Sequence, residues 1–192
     1  STHETIWLGS GASGNHRSKG IKIYNYDGGI IKTTDEGDSP IKGFHLVDFE
    51  FINYQGGTIE GDDRHAVNTE QSEDINFTNN GTITAEDKSA FYCKTCSDVT
   101  FNNTGTMTSG NNAVVISNGD NISITNSGTI TATTDNSGLN ISSSDGTVVT
   151  NTGTISGVDH GMQSSNVDNS TITNHGTISA SSNSGYGLVY EN

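Results

Sequence analysis

Several sets of residues in this chain have types and spacings that chemistry can use. Cys93 and Cys96 are the two cysteines, three positions apart. A turn that brings their Cα atoms within about 7 Å permits a local disulfide, and two reduced thiols are the alternative. A redox pair would open a helix, which is not expected here, and zinc would need two further ligands at suitable spacing. The run Glu60-Gly61-Asp62-Asp63-Arg64-His65 and the later Glu86-Asp87 are acidic. Glu60, Asp62, Asp63 and Asp87 together offer the hard oxygen ligands that Ca²⁺ takes. They equally form an ordinary solvated turn, and the Gly-Gly-x-Gly-x-Asp nonapeptide of calcium-bound β-rolls is absent. Asp62, Asp63 and Arg64, with the distant Asp159-His160-Gly161, supply the residue types of glycosidic chemistry. Their separation along the chain argues for turn residues, so no catalytic residue and no organic cofactor is assigned. Hydroxyls recur at Thr82, Thr84, Thr106, Thr108, Thr129, Thr131, Thr154 and Thr177.

These residues are placed by an internal repeat. Gly-Thr followed by Ile or Met occurs with glycines at Gly57, Gly81, Gly105, Gly128, Gly153 and Gly176, in steps of 24, 24, 23, 25 and 23. A degenerate copy, Gly29-Ile30-Ile31, precedes them. Each period holds three short runs that alternate with period two, the pattern of strands. One run precedes the triplet: Ile75 and Phe77, Val99 and Phe101, Ile122 and Ile124, then Val148, then Ile172. The triplet is the second, with Ile83, Met107, Ile130, Ile155 and Ile178 pointing one way. The third follows a polar turn: Phe91 and Cys93, Val114 and Ile116, Leu139 and Ile141, Met162, and Leu188.

Three strands and three turns close one coil. The chain is therefore expected to be all-β, a right-handed single-stranded parallel β-helix of about seven coils of 23–25 residues. Coils stacked at the ~4.7–4.9 Å spacing of neighbouring strands would bury one another, and no single repeat could fold alone. Two positions before the glycine stands Asn79, Asn103, Asn126, Asn151 or Asn174. Stacked Asn amides can hydrogen-bond along the axis, so these five are expected to form a structural ladder, with Asn53 in the same place one coil earlier. The following glycine is expected to take a positive φ.

Residues 1–192 read as one domain, with 1–20 as an N-terminal cap or leading strand and 21–192 as stacked coils. Only 29% of the 192 residues are apolar and 24 are glycine, which suits a narrow core better than a layered fold. The formal charge of −14 would repel phosphate, so nucleic acid is not an expected partner. No stretch approaches the roughly 20 apolar residues of a membrane helix. No C-terminal cap is visible beyond Tyr190-Glu191-Asn192, so further repeats or an identical subunit are expected at that end.

Tandem units such as Ile124-Thr125-Asn126-Ser127-Gly128-Thr129-Ile130 resemble the passenger region of bacterial autotransporters and filamentous-haemagglutinin-like exoproteins. The resemblance covers about residues 45 to 192. It implies a bacterial secreted or cell-surface protein, usually adhesive, and brings no catalytic motif. The expected function is thus non-enzymatic: a β-helical scaffold in adhesion or self-assembly, with glycans, host surface proteins or identical rods as partners. Two alternatives stand. The Thr-x-Thr array resembles the ice-binding face of β-helical antifreeze proteins, although Thr is also the ordinary outward residue of an exposed strand. A polysaccharide-binding or polysaccharide-degrading β-helix is the other.

Overall fold

The computed structural model describes residues 6–9, 17–33 and 37–191. The described chain is all strand and turn, wound as a parallel β-helix with three strands per coil and about seven coils. In chain order each coil contributes one strand to each of three parallel sheets. The first sheet carries the runs that lead into the Asn corner, from Lys22–Asn25 and Leu46–Asn53 through Glu73–Asn79 to Thr171–Asn174. The second carries the Gly-Thr-Ile triplets, from Ile30–Lys32 and Thr58–Gly61 to Thr177–Ala180. The third runs from Ile6–Leu8 and Ile41–Phe44 through Phe91–Lys94 to Tyr186–Glu191.

Period-two alternation makes one face of every strand apolar, and a coil closes those faces onto a common interior. Ile31, Ile59, Ile83, Met107, Ile130, Ile155 and Ile178 pair in register as one file along the axis. From Ile59 to Ile155 that file is fully buried. Phe51, Phe77 and Phe101 stack at ring-centroid distances of 4.9 and 5.0 Å, and Phe91 leans onto Phe77 at 4.4 Å. A fully buried Ile or Phe contributes roughly 1.5–3 kcal/mol only when covered. The cover is the next coil, so stability is shared between neighbours rather than held by any one repeat.

Two local readings, at Val148 and at the triplet glycines, are corrected by the structure. Val148 points outward and is 43% exposed, while Val149 occupies the interior between Ile124 and Ile172. Of the cap and the leading strand expected within residues 1–20, Ile6–Leu8 forms a leading strand, paired in parallel with Ile41–Gly43 in the third sheet. The triplet glycines do not take positive φ. They are required by close approach: a Cβ on Gly105, Gly128, Gly153 or Gly176 would stand 2.1 Å from the carbonyl oxygen of the glycine one coil below.

Left-handed backbone is concentrated instead at the corner between the third and first sheets. There, residues three apart adopt it coil after coil: His45 and Asp48, Gln71 and Asp74, Thr95 and Asp98, Asn118 and Asn121, Asn166 and Asn169. Asp and Asn tolerate this region because their short polar side chains bond locally, which explains the second position of each pair. Asn121 also donates to the Asp98 carboxylate of the preceding coil at 3.1 Å.

Candidate functional site

The Asn corner is the most ordered polar feature. Each amide nitrogen donates to the amide oxygen of the next rung at 2.8–2.9 Å, through Asn25, Asn53, Asn79, Asn103, Asn126, Asn151 and Asn174. The same nitrogens also donate to the turn glycine's carbonyl and to a Thr carbonyl one coil on, as Asn103 does to Gly105 and Thr129. Rungs from Asn53 to Asn151 are buried, so they brace the fold and offer nothing to a ligand. Asn25, the first rung, escapes a search for Asn-x-Gly because its coil carries the degenerate triplet.

The second sheet sets the hydroxyls in two outward files. One runs Thr58, Thr82, Thr106, Thr129, Thr154, Thr177, and the other Glu60, Thr84, Thr108, Thr131, Ser156, Ser179. Thr131 and Ser156 share a hydrogen bond of 3.0 Å. Glu60, Thr84 and Thr108 of the second file line an open groove of about 550 Å³ that crosses several coils, together with Lys32, Asp62, Glu86 and Thr133.

At one end of that groove the acidic turns stack, with Glu86 N–H donating to the Gly61 carbonyl at 3.0 Å and Asp87 N–H to that of Asp62 at 3.4 Å. Register places Glu86 over Asp62, and Asp62 is the carboxyl that acts most on it. A hydrogen bond with Asp62, its charge, and the charges of Asp87 and Asp63 hold the Glu86 carboxyl above its ordinary range. Glu86 lies 24 positions after Asp62, one period, which is the signal that singles it out. Among the described residues no group of three His, Cys, Asp or Glu is arranged to hold a metal ion. Asp159 occupies the equivalent turn four coils beyond Asp62, roughly 19 Å along the axis at strand spacing, so the two cannot flank one glycosidic bond.

Cys93 and Cys96 are joined as a buried disulfide with Cα atoms 6.0 Å apart. It closes the corner after Phe91–Lys94, where Thr69 of the preceding coil donates its hydroxyl to Cys93 Sγ at 3.0 Å.

Sequence reasoning passed over the aromatic surface. Tyr24, Tyr26 and Tyr54 are 38%, 60% and 36% exposed and gather on the outside of the Asn corner. Tyr26 and Tyr54 stack with centroids 4.8 Å apart and planes within 4°, and Tyr24 meets both edgewise at 6.4 Å. Lys22 donates to Glu50 at 2.5 Å beside them. The signal is present in the chain, since Tyr26 and Tyr54 each follow a ladder Asn by one position. Comparison with family models, with curated proteins and with solved structures finds no match to this chain.

Proposed function

We propose that this protein is a non-enzymatic extracellular or cell-surface scaffold of bacterial type that acts in adhesion, with self-assembly along the rod axis as its second mode. The observation that carries the reading is the exposed tyrosine cluster. Large apolar rings turned to water cost free energy, and aromatic anchors of this kind are characteristic of recognition surfaces. The rings offer flat faces to sugars or to apolar side chains of a host protein. The hydroxyl files repeat a weaker polar contact at every coil, so modest affinities add through multivalency. The disulfide fits an oxidising, extracytoplasmic setting.

Ile172 and Ile178 are only partly covered and Leu188 is 45% exposed, although each continues an interior file. A further coil, from continued polypeptide or from an identical subunit, would cover them and accept from Asn174.

The test is adhesion of protein-coated beads to a panel of immobilised glycans and extracellular-matrix proteins. Tyr26→Ala with Tyr54→Ala is expected to abolish capture while far-UV circular dichroism stays unchanged. Absence of wild-type capture across the panel, or capture indifferent to both substitutions, overturns the adhesive reading. A concentration-independent monomer by sedimentation overturns the assembly mode.

The second reading, ice binding, is favoured by the in-register Thr files of the second sheet. A thermal hysteresis measurement decides it: shaped ice crystals at micromolar protein support it, and unshaped disc-like growth removes it.

A further inference from the structure

All eight Lys and Arg residues lie between positions 17 and 94, so this acidic chain carries its positive charge in its first half. Three of them, Lys42, Arg64 and Lys94, line a single groove of about 390 Å³ on the outer face of the third sheet. Strand register builds it. Lys42, Asn68 and Tyr92 form one outward file, and Phe44, Glu70 and Lys94 form the file beside it. Arg64 reaches in from the preceding turn, with its Nε donating to the Gly37 carbonyl at 3.1 Å. Lys42 Nζ sits 5.0 Å from the Trp7 ring centre and 5.6 Å from that of Phe44, a cation–π arrangement that holds its ammonium in place. Glu70 is the one carboxylate among the described lining residues. Among the described lining residues there are therefore three cations and one carboxylate.

Two further features make this a pocket rather than a loose patch of charge. Tyr92 is only partly covered and is backed by the His65 ring at 4.1 Å, which fixes it as a platform. Asn68 is just 7% exposed although it belongs to an outward file, and its Oδ1 is buried without a hydrogen-bond partner. Its Nδ2 donates to Glu70 at 3.3 Å, which sets which end of the amide is left over. A buried acceptor without a donor costs free energy, and a ligand hydroxyl would satisfy it. Arg and Lys are the partners that carboxylates select, Arg by a two-pronged fork. An aromatic face, a hydroxyl acceptor and several cations spread over two coil steps, about 10 Å, describe a ligand that alternates rings, hydroxyls and carboxylates.

We propose that this groove binds an acidic oligosaccharide built of uronate units, with Arg64 and Lys94 on the carboxylates, Tyr92 against a sugar ring and Asn68 Oδ1 accepting a ring hydroxyl. The inference rests on the adhesive reading and names a ligand class for it, at a surface separate from the tyrosine cluster.

Calorimetric titration of the whole chain with trigalacturonate tests it, with the fully methyl-esterified trimer and inorganic sulfate as comparison arms. Trigalacturonate is expected to bind at least tenfold more tightly than its ester, and Arg64→Gln or Lys94→Gln to weaken it at least fivefold. Both side chains are exposed, so folding is not at stake. Asn68→Asp, which adds a repelling charge at the floor, is expected to abolish binding. Equal affinity for the ester, binding of sulfate alone, no binding at all, or indifference to both Gln variants each overturns the proposal. Bead capture that depends on Tyr26 and Tyr54 would survive any of these results, so failure of the pocket and failure of the adhesive reading are distinguishable.

Discussion

Asn103 Nδ2 lies 2.8 Å from Asn126 Oδ1, although 23 residues separate them, and Asn103 Oδ1 in turn accepts from Asn79 at 2.9 Å. Every interior rung is thus both donor and acceptor, with its donor shared among three acceptors. The chain of amides closes a corner where an unpaired polar group would otherwise be buried.

Replacing a middle rung should therefore cost more than replacing the last one. Asn103→Ala leaves Asn126 Oδ1 without its amide donor and opens a small void. A loss of about 2–3 kcal/mol is expected from one orphaned buried acceptor and the bonds removed. Asn174, exposed and donating only to Gly176, should cost under about 1 kcal/mol. Urea unfolding followed by circular dichroism checks the difference, and equal costs would show that the rungs act independently of burial.

Glycine substitutions should separate two reasons for using glycine. Gly105→Ala drives a methyl against the Gly81 carbonyl at 2.1 Å, and backbone cannot yield cheaply, so a cost of about 3 kcal/mol is expected, at the upper end for overpacking. Gly20→Ala meets no atom within 4 Å but must hold a φ of +71°, so about 1 kcal/mol is expected. Thermal midpoints of the two variants test the order.

Acid should destabilise the first coils through His65. Burial, with the nearby Lys88 and Arg64 charges, pushes its pKa down to about 4, and its Nδ1 accepts from the Ser89 N–H at 3.1 Å. Between pH 6.5 and about 4 the unfolded chain takes up a proton that the folded chain refuses. The stabilisation is fully present above pH 6.5 and is lost on descent toward pH 4, by about 2–3 kcal/mol. The urea midpoint of the wild type should fall across this window more steeply than that of His65→Gln, and parallel curves would refute the assignment.

Reduction should soften one corner without unwinding the helix. The disulfide closes a loop of only three positions, so its constraint on the unfolded chain is small, about 2 kcal/mol. Dithiothreitol is expected to lower the urea midpoint accordingly while the strand signal in circular dichroism persists. Collapse of that signal would mean that the bond is needed for the fold itself.

The coil architecture is legible because its cause recurs. A solenoid needs the same residue type at each axial position, and so writes its own period into the chain. Ile59 through Ile178, the Thr files and most of the ladder can be read from steps of 23–25 alone. Reading fails where two neighbouring positions satisfy the pattern equally, as at Val148 and Val149, since only the pairing register decides which one faces inward. It fails also for the reason behind the triplet glycine. Carbonyl contact between coils, rather than backbone sign, is a relation between residues some two dozen positions apart.

Composition and period alone determined that this chain would stack its own repeats around a thin apolar column, because burial at each position is dictated by alternation and repetition. What only the folded coordinates decided is the content of the non-repeating surfaces. Tyr26 beside Tyr54, Glu86 beside Asp62, and Lys42, Arg64 and Lys94 around Asn68 each depend on which outward residues adjacent coils bring side by side. A side chain facing water is under no periodic constraint, so its neighbours are set by the winding and not by any pattern in the chain.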